Sequence, residues 1–191
     1  MSAPTKAPPL VRRFRTARWS ALGVGIVTIV LISVLATRQP ANMIIASSPL
    51  VGKPAPAIVG KSFSGPKVSL RAFRGKWVLV NFFASWCDAC RVEEPQLETF
   101  LYSRPGGART EVLGVLFGDT ASDGMRFQRQ EGATWPSVVD SGGTIASNYG
   151  VGSLPRSFIV DPAGRVVASI TGAVTASDLD RWIEQQQSRG S

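Results

Sequence analysis

Histidine is absent from this 191-residue chain. That one absence excludes imidazole base catalysis, Cys-His dyads, Ser-His-Asp triads and His-ligated metals. Cysteine is almost as scarce: only Cys87 and Cys90 occur, which leaves a structural zinc site short of its four ligands. Acidic residues are missing from residues 1–50, which nevertheless hold Lys6, Arg12, Arg13, Arg15, Arg18 and Arg38. The net charge of +8 is therefore lopsided, because from Val51 onward 15 basic residues face 13 acidic ones. A basic tail accounts for the charge, and no nucleic-acid binding is expected.

What the chain does have begins with a hydrophobic stretch. Residues 1–18 are rich in Pro, Ala and Arg, without periodicity, and read as a basic cytoplasmic tail. Residues 19–37 (WSALGVGIVTIVLISVLAT) then run for 19 positions without a charge. A helix of that length crosses a hydrocarbon core of roughly 30 Å. Five basic residues precede the stretch and one comes after it, so the positive-inside rule places the N-terminus in the cytoplasm and the remainder outside. A cleaved signal peptide is the rival, with residues 34–36 as a small-residue cleavage site, but its apolar region usually spans roughly 7 to 15 residues. Either route delivers the rest of the chain to an oxidising compartment. The reading adopted is a single-pass signal-anchor in a bacterial cell membrane, a linker over residues 38–50, and an extracytoplasmic domain over residues 51–191.

Within that domain, the Gly65-Pro66 turn leading into Val68-Ser69-Leu70 predicts an N-terminal hairpin. Residues 77–83 (WVLVNFF) form a nearly continuous apolar run of strand length, as in a central strand buried on both faces. A helix over 88–102 comes next, with Pro95 as a kink. Further elements are a strand over 112–117, a helix over 122–131, a short strand over 137–139 and a short helix over 144–149. Residues 156–160 and 166–171 make a hairpin around Asp161-Pro162-Ala163-Gly164. The last helix, 176–187, takes Ser177 as its cap and turns Leu179, Trp182 and Ile183 inward. Strands alternating with helices and then a hairpin indicate an α/β fold with a mixed sheet.

The chemistry concentrates in Trp86-Cys87-Asp88-Ala89-Cys90, where the buried strand meets the helix. Two thiols separated by two residues at a helix start can close a disulfide, and the helix N-terminus stabilises the Cys87 thiolate. That thiolate attacks a partner disulfide, and Cys90 resolves the mixed intermediate. A structural staple is the plain alternative, but closing so short a loop restricts the unfolded chain least.

Residues 76–95 (KWVLVNFFASWCDACRVEEP), with 52–56 (GKPAP) and 149–161 (YGVGSLPRSFIVD), resemble the membrane-anchored, thioredoxin-like TlpA/ResA/CcmG (DsbE) family. The resemblance covers nearly all of the exported part and implies a thioredoxin fold with a central αβ insertion over 122–139. It makes Cys87 the nucleophile, Cys90 the resolving thiol and Glu93 an acid that relays a proton, with Asn81 where ordinary thioredoxins keep a buried Asp. Glu94 reads as a plain complement to the helix dipole. Pro155 matches the family's cis-proline, so Trp86, Leu154 and Pro155 are expected to bind the substrate peptide. Ala89 departs from the Pro usual before the second cysteine. Asp88 sets a negative charge beside the nucleophile, which favours a reducing pair, unless Arg91 offsets it.

The resemblance implies a thiol-disulfide oxidoreductase that needs no cofactor beyond its redox-active disulfide. The protein is expected to act as a monomer on exported protein thiols and disulfides, apocytochrome c among them, with electrons from a membrane thiol transporter. Other readings are an oxidant that installs disulfides, a non-catalytic module binding haem or an apoprotein, and a thiol peroxidase. The last is disfavoured because Val80 and Ala84 occupy the positions where peroxiredoxins carry Pro and Thr or Ser.

Overall fold

The computed structural model describes residues 47–190 except Ser64 and Arg104, together with Ile44, Ile45 and five positions of the apolar stretch. Those five, Gly25, Val27, Thr28, Val30 and Ser33, are helical. The rest of the expected 19–37 anchor and the 1–18 tail lie outside the described residues. Among the described residues no helix is long and apolar enough to cross a membrane.

The elements from Ala41 onward are β1 (Ile44–Ile45), β2 (Val59–Lys61), β3 (Lys67–Ser69), β4 (Trp77–Phe83), α1 (Asp88–Ser103), β5 (Thr110–Phe117), α2 (Ala121–Glu131), β6 (Ser137–Asp140), α3 (Thr144–Tyr149), β7 (Arg156–Val160), β8 (Val166–Thr171) and α4 (Ala176–Gly190). Six strands form one sheet in the order β1-β8-β7-β4-β5-β6, and β2-β3 is a separate hairpin. Strands β4, β5 and β6 run parallel, whereas β7 is antiparallel to β4 and β8 to β7. Within the 38–50 stretch, Ile44 and Ile45 pair with Thr171 and Ile170 of β8. Two adjacent β-branched residues suit a short edge strand.

Every residue of β4 is buried, and the period of two divides the strand between two cores. Trp77 and Leu79 pack with Leu97 and Phe100 of α1 and Leu179 and Ile183 of α4. Val78, Val80 and Phe82 pack on the opposite face, against Tyr149 of α3 and Phe158 of β7. Asn81 falls on the α1 side by the same alternation, and this places an amide under the redox helix.

Helix α1 runs through to Ser103 with Pro95 inside it, as expected. Pro95 is on the exposed face, where the carbonyl deprived of its N–H partner can meet water. The cap of α4 is Thr175 and not Ser177. The Thr175 hydroxyl accepts from the Asp178 amide at 3.2 Å and donates to the Asp178 carboxylate at 2.7 Å, a reciprocal arrangement that satisfies an orphan helix donor.

Candidate active site

The direction of the strands determines what gathers around the cysteines. Strand β4 ends at Phe83, and its register pairs Phe82 with Arg156. The antiparallel β7 therefore begins beside the end of β4, and the segment preceding β7 lies next to the turn that carries Cys87. The Leu154–Pro155 peptide in that segment is cis. Leu154 packs on a cluster formed by Phe83, Ala84, Cys87, Cys90, Leu116 and Phe127.

Cys87 precedes the first residue of α1, and Cys90 lies in its first turn. They are joined in a disulfide with Cα atoms 5.3 Å apart. Cys87 is 7% exposed and Cys90 1%, so Cys87 is the less deeply buried of the two. The Cys90 amide donates to the Cys87 sulfur at 3.2 Å. On reduction that donor and the helix terminus favour the thiolate at Cys87.

The turn before Cys87 is held from the neighbouring strand. The Ser85 amide donates to Asp119 Oδ2 at 2.7 Å, and Trp86 Nε1 donates to the Gly118 carbonyl at 3.1 Å. Gly118 adopts a φ of 66°, a left-handed conformation that glycine accepts without strain. Trp86 is 62% exposed, so it is not a core aromatic but a ring held by one hydrogen bond at the surface beside Cys87. Residues 118 and 119 did not stand out in the sequence. The available signal was their place after a buried parallel strand, at whose carboxyl end α/β folds build their sites.

Glu93 is 1% exposed and sits one turn beyond Cys90. Its Oε2 accepts from Asn81 Nδ2 at 3.1 Å and its Oε1 from the Val174 amide at 3.2 Å. Asn81 Nδ2 also donates to Ser157 Oγ at 3.0 Å, linking α1, β4 and β7 in one buried network. Burial pushes the Glu93 carboxyl up to about 8, while the donors from Asn81 and Val174 pull the other way. Such a group can hold or release a proton near neutral pH.

Glu94 departs from its plain reading. It is 2% exposed, too enclosed to be a solvated complement to the helix dipole. Burial, then the charges of Glu93 and of Glu131 on α2, raise it to about 8. Arg91 pairs with Glu131 and lies 5.2 Å from the centre of the Phe127 ring. Its charge is thus directed toward α2 and not toward Asp88, which stays exposed next to Cys87. Among the described residues, no three His, Cys, Asp or Glu side chains gather as a metal site.

A redox-capable Cys-x-x-Cys disulfide at the start of a helix, on a thioredoxin fold, defines the class as thiol-disulfide oxidoreductase. Residues 51–169 match the AhpC/TSA family. The thiol-disulfide oxidoreductase ResA of Bacillus thuringiensis (strain Al Hakam) is 33% identical over 135 residues, covering 71% of this chain and 78% of the relative. The solved thioredoxin domain of a thiol-disulfide oxidoreductase from Bacteroides vulgatus is 29% identical with a TM-score of 0.62, covering 72% of this chain and 98% of that domain. StoA from Bacillus subtilis is 25% identical with a TM-score of 0.58, covering 71% of this chain and all of the other. The chain belongs to the thioredoxin-like AhpC/TSA family, among its ResA-like and StoA-like thiol-disulfide oxidoreductases.

Proposed function

We propose that this oxidoreductase works outside the cytoplasmic membrane as a reductant of disulfides in exported proteins. In this reading residues 1–18 are a basic cytoplasmic tail, 19–37 the anchor, 38–50 the linker and 51–191 the catalytic domain. The substrate suggested by the TlpA/ResA/CcmG resemblance is the cysteine pair to which haem is attached in apocytochrome c, and a membrane thiol transporter restores the reduced state. The protein acts as a monomer.

The Cys87 thiolate attacks one sulfur of the substrate disulfide, forming a mixed disulfide and releasing the other sulfur as a thiolate. Cys90 passes its proton to the Glu93 carboxylate and attacks Cys87, which frees the substrate and leaves the Cys87–Cys90 disulfide. Glu93 then gives the proton to the departing thiolate. Two electrons move from the enzyme dithiol to the substrate, and the transporter returns them. Trp86, exposed next to Cys87, Leu154, packed on the cysteine cluster, and the cis Pro155 after it are assigned to peptide binding.

The observation that carries this reading is the pairing of a nearly buried Cys-x-x-Cys disulfide with a buried acid held by Asn81 and the Val174 amide. Its test is to replace Cys90 by Ala in cells, trap the mixed disulfide on Cys87 and identify the captured protein. Captured apocytochrome c is expected, and a catch of exported proteins without it overturns the substrate assignment. The reducing direction is supported by Asp88, exposed beside the nucleophile while Arg91 is committed to Glu131. A reduction potential near thioredoxin's roughly −270 mV agrees with it, and one near roughly −120 mV makes the protein an oxidant.

A further inference from the structure

Arg156 carries a charge that the exchange steps leave unused. It is the first residue of β7 and directly follows the cis Leu154–Pro155 peptide. The period of two puts its side chain on the sheet face shared with Phe158 and, across the register, with Phe82. Neutral groups hold the guanidinium there. Its Nη1 donates to Thr171 Oγ1 and its Nη2 to Ser169 Oγ at 2.7 Å, both on β8, and it lies 5.4 Å from the centre of the Phe158 ring. This hold also ties the group to the peptide-binding segment, because Thr171 is followed by Gly172, whose amide donates to the Pro155 carbonyl at 3.1 Å.

Among the described residues no acid pairs with that charge. The ion pairs join Lys76 to Glu111, Arg91 to Glu131, Arg126 to Asp123 and Arg181 to Asp178, and no undescribed position carries Asp or Glu. Arg156 is half-buried, and its Nε is enclosed without a hydrogen-bond partner. A partly desolvated cation with an orphaned donor lowers stability in a way that an uncharged side chain at the start of β7 would not. The two hydroxyls and the ring fix the group in place without neutralising it. One N–H on each terminal nitrogen is left over, and two such donors on a planar cation suit a carboxylate.

We propose that Arg156 is a specificity-determining residue that selects polypeptide substrates carrying an Asp or Glu a few residues from the cysteine under attack. The proposal rests on the assignment of Leu154 and Pro155 to peptide binding. An extended peptide lying along that segment advances about 3.3 Å per residue, so Arg156 reads a neighbour of the attacked cysteine and not the cysteine itself. Since the guanidinium is on the sheet face opposite α1, its effect falls on peptide binding and not on the sulfur chemistry.

The test uses the reduced full chain in a neutral detergent and short one-cysteine peptides whose sulfur is joined to thiopyridine as a disulfide. Cys87 attacks the peptide sulfur and releases thiopyridone, which is read by absorbance, and Cys90 then frees the peptide thiol as the enzyme dithiol becomes the disulfide. The peptides differ only in carrying Glu, Gln or Lys at successive positions around the cysteine. In the wild type, Glu at one or two of these positions should lower the half-saturating concentration about fivefold relative to Gln, with the maximal rate unchanged. Lys at those positions should raise it, and both effects should fade between about 0.05 and 0.5 M salt. Arg156→Gln should erase the difference between Glu and Gln peptides, and Arg156→Lys should restore part of it. A Glu-to-Gln ratio retained in Arg156→Gln overturns the proposal, however much that variant slows all peptides alike. If the variant does not fold, equal handling of Glu and Gln peptides by the wild type overturns it, as does a gain that is the same at every position. Trp86→Ala tests the docking reading separately. A Trp86→Ala protein that handles every peptide as the wild type does overturns that reading, whereas weakened binding there beside a retained ratio in Arg156→Gln overturns the Arg156 assignment alone.

Discussion

The two ends of β4 face very different surroundings. At its start, Val78 borders a cleft of about 540 Å³ lined by Ile58, Leu70, Phe73 and Val160, with Arg71 and Arg74 also contributing. At its end, the chain turns into a disulfide that is almost closed off from solvent. The cleft lies at the first end, yet the reactive sulfurs are at the second. Thiol-disulfide exchange needs an accessible sulfur, a stabilised thiolate and a proton carrier, and it does not need an enclosed volume. For this class of chemistry the helix terminus and the buried acid locate the site better than the cleft.

Substitutions can sharpen that contrast, and the largest effect belongs to the disulfide end. Cys87→Ala should abolish disulfide exchange in an insulin-reduction or glutathione assay, and retained turnover would shift the reading toward a non-catalytic binding module. Glu93→Gln should slow resolution of the mixed disulfide by about 10²-fold at neutral pH, as expected for loss of a positioned acid-base group.

Asn81→Ala should act on both stability and pH dependence. Without the amide, Glu93 Oε2 and Ser157 Oγ lose a buried donor, at about 1–3 kcal/mol in denaturant unfolding. Because the Asn81 bond lowers the Glu93 pKa, its removal should also move the acid step to higher pH.

The oxidised protein should itself report the buried pair. Glu93 and Glu94 stand near 8 when folded against an ordinary value of 4.5. The folded state therefore keeps protons that the unfolded chain releases across that window. Their burial carries no ionisation penalty below about pH 4.5 and is progressively penalised as pH rises toward about 8, so thermal stability should fall by several degrees between about pH 5 and 9. A melting temperature that stays level or rises over this range contradicts the buried-acid assignment. At the opposite end of β4, Arg74→Ala should leave exchange kinetics within about twofold of wild type, because exposed substitutions remote from the chemistry have small effects. A large loss would assign that cleft a part in turnover.

Much of this was legible before any fold was known, for local reasons. The run WVLVNFF is apolar at six of its seven positions, which marks a strand buried on both faces, and Cys-x-x-Cys at its end is a motif of contiguous residues. The hairpin around Asp161-Pro162-Ala163-Gly164 and the amphipathic last helix were readable from turn chemistry and the 3.6 period in the same way. The features that changed depend on neighbours distant in sequence. Glu94 has the composition of a solvated helix start, and only the folded chain encloses it. Thr175 and Ser177 are both plausible caps by type, and the hydrogen bonds with Asp178 select Thr175. Arg91 could have turned toward Asp88 until α2 placed Glu131 and Phe127 within its reach.

By itself the sequence determined the reaction type, since thiol-disulfide exchange needs two cysteines at the start of a helix and both lie within four consecutive residues. It also excluded imidazole-based rivals by containing no histidine. Tertiary structure alone decided which acids can carry protons, because that property depends on burial and on partners supplied by other elements. Asn81 and Val174 meet Glu93, and Ser157 meets Asn81, only after segments distant in sequence have packed together, and Glu94 loses water only in the folded protein.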